Sequence, residues 1–314
     1  MVAIPGAGRF GAVATAMVTP FDDTGALDLD GAAHLARWLT EHGSDALVVA
    51  GTTGEVPVLS DDECAQLWRA VAEAVTVPVI AGTGTNDTRH SIERTKTATE
   101  AGVDAVLVVT PYYSRPPQHG LADHFTAVAD STRLPVVLYD IPVRTGRRIA
   151  PATLLRLARA VPNIVAVKDS AGDLAGTART VAEAPEGFEV YCGDDALALA
   201  FLAVGAVGVV SVASHWAGEE MNQMVRAGAK GDLDRARALN ARLIESYDFE
   251  SSETHPNPVP AKAACRALGL PAGQCRLPLG AAAPELDGHA RLVISRLGRS
   301  PVGVGRGGPG GPLA

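Results

Sequence analysis

A lysine ends one of the most apolar runs in the chain. Residues 164–168 read IVAVK, in which four residues typical of a buried strand precede Lys168. A lysine just past a strand end usually points to water, and a buried lysine usually pairs with an acid. If neither holds, loss of hydration lowers the pKa of the ammonium, and the neutral amine can form a Schiff base with a carbonyl. The iminium makes the adjacent carbon acidic, which is the chemistry of a lysine-dependent aldolase.

Other reactive groups follow neighbouring apolar runs. The segments are GTTGE (51–55), TPYYSRP (110–116), LYDIPVRTG (138–146), GDD (193–195) and Ser211. The phenol of Tyr139 is suited to general acid or base catalysis, and the guanidinium of Arg144 to binding a carboxylate. The hydroxyls and N–H groups of GTTGE suit a second carboxylate. These side chains also have structural interpretations, namely a turn at GTTGE, a helix cap at Asp194 or Asp195, and a surface charge at Arg144.

Eight short apolar runs recur along the chain, separated by amphipathic stretches. They lie at 12–18, 46–50, 78–82, 105–109, 135–139, 164–168, 188–192 and 207–211. Ser60 and Glu63 form a capping-box pattern, and Gly43 and Gly102 are placed to end helices. Eight buried strands alternating with helices predict a (β/α)₈ TIM barrel, in which the C-terminal ends of the strands carry the active site. That geometry would bring Lys168 and the polar segments to one mouth.

The alternation of apolar runs with amphipathic stretches ends after about residue 230. Two helical segments, GDLDRARALNARLIESY and AKAACRALGL, are joined by the extended HPNPVP. We therefore expect a catalytic barrel over 1–228, a small C-terminal helical domain over 229–299 and a disordered Gly/Pro-rich tail over 300–314.

Composition excludes several classes of protein. The net charge is -8 and no basic cluster occurs, which argues against nucleic acid or an anionic membrane as a partner. The four cysteines are far apart and the eight histidines lack ligand spacing, so we expect neither a metal site nor a cofactor. The uncharged stretch between residues 196 and 218 has the composition of a buried helix followed by a buried strand. No signal-peptide pattern is present, and a cytoplasmic protein is expected.

The motifs resemble those of the dihydrodipicolinate synthase family of pyruvate-dependent class I aldolases and lyases. The resemblance runs from about residue 11 to residue 279, and its motifs occur in the family's order. They are GTTGE, TPYYSRPPQ, LYDIPVRTG, VAVKDSAGD, GDDAL, GVVSV and NPVPAKAA. The resemblance implies condensation of pyruvate with L-aspartate 4-semialdehyde and cyclisation to 4-hydroxy-tetrahydrodipicolinate, the first committed step toward diaminopimelate and lysine.

The resemblance also implies catalytic roles. Lys168 would form the Schiff base with pyruvate. Tyr139 would be the general acid/base, linked through Thr52 to Tyr113 in a proton relay. In this family the tyrosine at the position of Tyr113 is lent by a neighbouring subunit. A homodimer at least is therefore implied, and a homotetramer built as a dimer of dimers is usual.

The binding residues implied by the resemblance lie on the same motifs. Thr53 would hold the pyruvate carboxylate, and Gly193 and Val210 would line the pocket with backbone groups. Arg144 would bind the carboxylate of aspartate semialdehyde, and this position best separates the synthase from its aldolase relatives.

Two alternatives remain open on sequence. One is another pyruvate lyase of the superfamily, acting on a sugar acid, a keto-gluconate or 4-hydroxy-2-oxoglutarate. Arg144 and the intact set of Tyr113, Thr52 and Tyr139 favour the synthase over this lyase. The other is a non-catalytic barrel that senses a metabolite, which retention of every reactive group disfavours.

One departure from the family pattern concerns regulation. Relatives inhibited by lysine bind it at a subunit interface through hydrogen-bonding and acidic side chains. The matching positions here are Val56, Asp61, Cys64 and His90, whereas Asn86 and Tyr112 keep the family's residue types. Because valine cannot hydrogen-bond an ammonium and histidine does not replace a carboxylate, we expect weak or no inhibition by lysine.

Overall fold

Eight parallel strands form a closed barrel in the computed structural model, which describes residues 8–301. Each strand pairs with the next in the chain, and the eighth pairs with the first. The strands are β1 (Val13–Ala16), β2 (Ala46–Val49), β3 (Val79–Gly82), β4 (Ala105–Val109), β5 (Val136–Asp140), β6 (Ile164–Asp169), β7 (Glu189–Cys192) and β8 (Gly208–Ser211). Every apolar run singled out in the sequence overlaps one strand, β5 and β6 extending one residue past their runs, and the TIM-barrel prediction is confirmed.

Helices cover the outside of the barrel and continue beyond it. They are α1 (Leu29–Glu41), α2 (Asp61–Ala74), α3 (Thr88–Glu100), α4 (Gln118–Ala129), α5 (Pro142–Thr145), α6 (Pro151–Ala160), α7 (Leu174–Glu183), α8 (Ala198–Ala203), α9 (Ser214–Ala229), α10 (Leu233–Glu250), α11 (Val259–Ala267) and α12 (Pro284–Arg296). The capping box at the start of α2 is formed as expected, since Ser60 and Glu63 bond each other's backbone N–H. Gly43 and Gly102 follow α1 and α3 with positive φ.

Side chains alternate between the barrel interior and the surrounding helices. Along β6, Ala166 belongs to the inner cluster, and Val167 belongs to the outer core beneath the helices. The two-residue period therefore points Lys168 inward and Asp169 outward. In the register of the sheet, Tyr139 of β5 lies beside Lys168. The pleat thus brings a phenol and an amine together inside the C-terminal end of the barrel.

The C-terminal helices pack against the barrel through α9 and α10. Trp216 is fully buried there, and its indole N–H donates to the Ser246 hydroxyl at 3.0 Å. The two helical segments expected after residue 230 correspond to α10 and α11, whereas α12 was not anticipated. The boundary between residues 228 and 229 remains a prediction. The expected tail falls almost wholly outside the described residues.

The uncharged stretch after Ala196 folds as expected, with α8 followed by β8. Val209 and Val210 of β8 are both buried, Val209 in the outer core beneath the helices and Val210 in the inner cluster. In the part of the chain from 8 to 301, no helix combines the length and the apolar character needed to cross a membrane.

Candidate active site

Lys168 is buried at the mouth of the barrel with 5% of its surface exposed. Its Nζ lies over the Tyr139 ring, 4.3 Å from the ring centroid. Among residues 8–301, no carboxylate oxygen lies within 4.0 Å of this nitrogen. Neither structural interpretation of Lys168 therefore holds, because the amine is neither in open water nor ion-paired.

Gly193 makes room for this lysine. A β-carbon at this position would lie 2.1 Å from the Ser170 Oγ and 2.9 Å from the Lys168 Cε. Any larger residue would therefore displace the lysine side chain. The Ser170 hydroxyl donates to the Gly193 carbonyl at 3.0 Å, which joins the ends of β6 and β7 beside the amine.

A cavity of about 190 Å³, here called the lysine cavity, opens in front of Lys168. Its size suits a small oxo acid. The lining residues are Thr52, Thr53, Tyr139, Ile141, Val143, Arg144, Lys168, Ser170, Gly193, Asp194, Val212, Glu250, Ser251 and Asn257. Six of the eight residues predicted for the site thus surround one space, namely Lys168, Tyr139, Thr52, Thr53, Arg144 and Gly193.

The GTTGE segment forms a tight turn at the end of β2. The N–H of Glu55 donates to the Thr52 carbonyl at 3.1 Å, and the Thr19 hydroxyl donates to the Gly54 carbonyl at 2.6 Å. Thr53 is buried, and its hydroxyl accepts a hydrogen bond from the Asn257 amide at 3.0 Å. The segment is a turn, as the structural interpretation has it, and it also presents its hydroxyls to the lysine cavity.

Arg144 lies on the short helix α5, which begins at Pro142 and ends at Thr145. The side chain is exposed and lines the lysine cavity. Within the described chain, Arg144 forms no ion pair with an acidic residue. Its guanidinium can therefore receive a carboxylate from a ligand.

Two predicted residues lie away from the lysine cavity. Tyr113 is 91% exposed, and its φ of +72° is unusual for a residue with a bulky side chain. Val210 belongs to the inner core beneath the cavity, and Val212 lines the cavity instead. Neither Tyr113 nor the Val210 side chain contacts that space within one copy of the chain.

The two aspartates after β7 have structural roles, as one interpretation predicted. Asp194 caps the following 3₁₀ turn through the Ala196 N–H. The buried carboxylate of Asp195 accepts from the N–H groups of Val212 and Ala213 at 2.7 and 2.8 Å, which ties the end of β7 to the end of β8.

Two acids near the mouth are held in environments that favour their neutral forms. Burial raises the pKa of Asp140 to about 7, and the neighbouring Asp169 carboxylate adds to the rise. Burial, followed by the charge of Asp195, raises the pKa of Glu250 well above its usual value.

Glu250 and Asn257 were not identified from the sequence as site residues. Both lie in the C-terminal part, more than 80 positions beyond Lys168 in the chain. For Asn257 a signal was present, since it lies in the NPVPAKAA motif. For Glu250 no local pattern distinguishes it from the other acids of α10.

A second and larger cavity of about 490 Å³, here called the outer cavity, adjoins the first and shares Thr52, Ile141 and Arg144 with it. Most positions considered for lysine inhibition line it, namely Val56, Asp61, Asn86, His90 and Tyr112. Asp61 accepts from His90 at 2.9 Å and from Arg94 at 2.7 Å. Burial by itself raises the pKa of Asp61, but the hydrogen bonds from His90 and Arg94 outweigh burial and lower the pKa.

Cys64, the remaining position of that set, is buried and accepts a hydrogen bond from Arg94. All four cysteines are buried and free, and burial raises the pKa of the Cys64 thiol. In residues 8–301, no group of three or more histidine, cysteine or acidic side chains is arranged to hold a metal ion.

Comparison with known proteins agrees with this geometry. The profile of the dihydrodipicolinate synthetase family matches residues 9–295. The chain is 51% identical to 4-hydroxy-tetrahydrodipicolinate synthase of Moorella thermoacetica over 279 residues, which cover 88% of this chain and 94% of the relative.

Solved structures agree as well. Dihydrodipicolinate synthase of Bacillus anthracis superposes with a TM-score of 0.88 at 44% identity, covering 92% of this chain and 98% of that one. The DHDPS of Cyanidioschyzon merolae, solved with lysine bound, gives a TM-score of 0.88 at 42% identity over 93% and 99% of the two chains. The barrel, the order of the motifs and these matches show that the chain belongs to the dihydrodipicolinate synthetase family.

Proposed function

We infer that the chain is a carbon–oxygen lyase that forms 4-hydroxy-tetrahydrodipicolinate from pyruvate and L-aspartate 4-semialdehyde. The observation that carries this inference is the buried Lys168, which faces a cavity beside Tyr139 without an acidic partner. The family match and the relatives named for this synthase favour it over a lyase acting on sugar acids.

We propose that Lys168 is the nucleophile. Its neutral amine attacks C2 of pyruvate, and the carbonyl oxygen leaves as water to give an iminium. Loss of a proton from the pyruvate methyl group then gives an enamine. Its carbon attacks the aldehyde carbon of the second substrate, whose oxygen takes a proton and becomes the hydroxyl. Finally the amino group of that substrate attacks the iminium carbon, closes the ring and releases the lysine amine.

Tyr139 is proposed to move the protons of these steps. Its ring lies against the amine and its side chain borders the same cavity, so we propose that its hydroxyl serves both the attacking nitrogen and the developing hydroxyl. Thr52 lines the cavity as well and is proposed to connect Tyr139 with Tyr113.

Tyr113 is proposed to act in a second copy of the chain. It is 91% exposed and outside the lysine cavity of its own copy, and its left-handed backbone projects a bulky phenol from the surface. Such a residue is explained if a neighbouring subunit receives it. We therefore propose a homo-oligomer, most simply a dimer of dimers.

Two carboxylates have separate proposed sites. Thr53 and the N–H groups of its turn would hold the carboxylate of pyruvate, with Gly193 and the backbone of Val210 completing the pocket. Arg144, on the outer side of the cavity, would bind the carboxylate of aspartate semialdehyde. No cofactor enters this scheme, and a cytoplasmic location is proposed for a biosynthetic enzyme of this kind.

Pyruvate consumption by the purified protein tests the proposal. Aspartate semialdehyde is compared with N-acetylmannosamine, glyceraldehyde and glyoxylate, in the native chain and in Arg144→Ala. We expect turnover only with aspartate semialdehyde, and we expect Arg144→Ala to lose it. Preference for another aldehyde would refute the assigned second substrate. Failure of borohydride to trap pyruvate on Lys168 would refute the mechanism.

A further inference from the structure

A second buried lysine lies behind the GTTGE turn. Lys262 on α11 has no exposed surface, and its Nζ lies 2.6 Å from the Glu55 Oε1. The same nitrogen donates to the Gln274 carbonyl at 3.0 Å and sits 4.0 Å from the centroid of the Phe21 ring. The contact with Glu55 is an ion pair between two groups that are almost completely removed from water.

Glu55 is the last residue of the turn, and each of its carboxylate oxygens faces a different nitrogen. Its Oε2 accepts from the N–H of Arg276 at 2.9 Å, while Oε1 faces Lys262. Both partners come from the C-terminal part of the chain. Glu55 itself has a φ of +57°, a conformation that a residue with a β-carbon keeps only when its surroundings hold it.

Stability alone is a poor explanation for such a pair. Replacing a buried ion pair by apolar residues of similar volume is often neutral or stabilising, because desolvation of the charges offsets their attraction. What a buried pair does supply is a fixed geometry. Here the geometry is that of a turn whose Thr53 lies two residues before Glu55 and borders the lysine cavity.

A second contact from the C-terminal part reaches the same turn. The Asn257 amide donates to the Thr53 hydroxyl oxygen at 3.0 Å. A hydroxyl that accepts this bond keeps its own proton free to donate elsewhere. The C-terminal part of the chain thus contacts the turn at two places, at Glu55 on the side away from the lysine cavity and at Thr53 on the side that borders it.

We propose that Lys262 and Glu55 are positioning residues for pyruvate binding, and that their ion pair holds the turn so that Thr53 meets the substrate carboxylate. This inference rests on the proposed role of Thr53. The C-terminal helices would thus contribute to pyruvate binding, although Lys262 itself does not contact pyruvate.

The test removes both charges together, so that neither is left buried alone. The variant Glu55→Gln/Lys262→Met is compared with Asp45→Asn/Arg226→Met. The control breaks the ion pair of Arg226 and Asp45, whose atoms are 2.8 Å apart and which lies near the N-terminal ends of the strands. Initial rates give KM for each substrate and kcat, and thermal unfolding reports on the fold.

We expect the Glu55/Lys262 variant to raise KM for pyruvate about tenfold with kcat within about twofold, because binding is lost equally in the ground and transition states. KM for aspartate semialdehyde should stay unchanged, and the control should change neither KM. An equal rise in both variants, or no rise in the folded Glu55/Lys262 variant, would overturn the inference. If the double variant does not fold, Glu55→Asp, which keeps the charge but shortens the side chain that reaches Lys262, is measured against the same criteria.

Thr53→Val separates this inference from the proposed function. A raised pyruvate KM in Thr53→Val, together with an unchanged KM in the Glu55/Lys262 variant, overturns only the positioning role. An unchanged KM in Thr53→Val overturns the assignment of Thr53, and the positioning role with it.

Discussion

Lys168 and Lys262 are both buried, but their surroundings differ in two respects. Lys262 meets the Glu55 carboxylate at 2.6 Å, whereas no carboxylate of residues 8–301 comes within 4.0 Å of Lys168. Lys168 faces a cavity, and Lys262 is enclosed by packed groups with no exposed surface. A buried lysine with an acid partner holds structure, and one without a partner beside a cavity is available for chemistry.

Acidic residues in the parts of the molecule around Lys262 and Lys168 also differ, in the direction of their pKa shifts. Glu63 lies near Lys262 in the junction between α2 and the C-terminal segment, and hydrogen bonds from Arg276 lower its pKa to about 2. Asp140 ends β5 one residue after Tyr139 and points toward the surrounding helices, and burial raises its pKa to about 7. Hydrogen bonds from Arg276 therefore favour the charge on Glu63, whereas burial disfavours charge on Asp140.

The largest expected effect is that of Lys168→Met. Removing the nucleophile should lower kcat by at least about 10⁴-fold. The unfolding temperature should stay the same or rise, since no partner charge is left unpaired. Initial rates and thermal unfolding check both expectations. A variant that keeps one hundredth of the native rate would show that Lys168 is not the nucleophile.

Lys262→Met should show the opposite pattern. Glu55 would be left buried without a counter-ion, which costs about 3–5 kcal/mol of unfolding free energy. Denaturant unfolding at fixed protein concentration measures the loss. Adding Glu55→Gln should restore most of it, because the uncompensated charge is then gone. An unchanged stability in the single variant would remove the distinction between the two lysines.

A smaller effect is expected from the titration of Asp140 at the end of β5. Asp140 has a folded-state pKa of about 7 and an ordinary value of 3.8, so the folded state holds the proton more tightly. Its contribution is fully present below pH 3.8 and is lost as pH rises toward 7, by about 4 kcal/mol at most. Asp140→Asn should remove this decline, as unfolding free energies at pH 5 and pH 8 would show.

The contribution of Glu63 to stability should depend on pH in the opposite direction. The Glu63 carboxyl has its pKa lowered from 4.5 to about 2, so its contribution is present above pH 4.5 and is lost as pH falls toward 2. Partial exposure reduces this contribution to about 1 kcal/mol. Glu63→Gln should therefore flatten the acid side of the stability profile. A change confined to alkaline pH would contradict the assignment.

The smallest expected effect is that of free lysine. In the outer cavity Val56 offers no hydrogen-bond acceptor, and the Asp61 carboxylate is already engaged by His90 and Arg94, so a bound ammonium finds little to pair with. Calorimetry and rates with added lysine test this, with the Cyanidioschyzon merolae protein as the positive control for binding. Half-maximal inhibition at sub-millimolar lysine would overturn the prediction.

Local patterns predicted much of this molecule. The eight apolar runs mark all eight strands, and their number and alternation with helices indicated the closed barrel. The strand ends then located Lys168, Tyr139, Thr53 and Arg144 on one side. These inferences succeed because strand propensity, capping and side-chain alternation depend on neighbouring residues only.

The sequence by itself thus determined the strands, the barrel and the reactive residues at its mouth. Only the tertiary structure decided which lysine lacks an acid, since Lys262 meets Glu55 across more than 200 positions of the chain. The same holds for Asn257 on Thr53 and for Glu250 at the lysine cavity. Charge and hydrogen-bond pairing depend on distance in space, and the barrel and the C-terminal helices must pack before those distances exist.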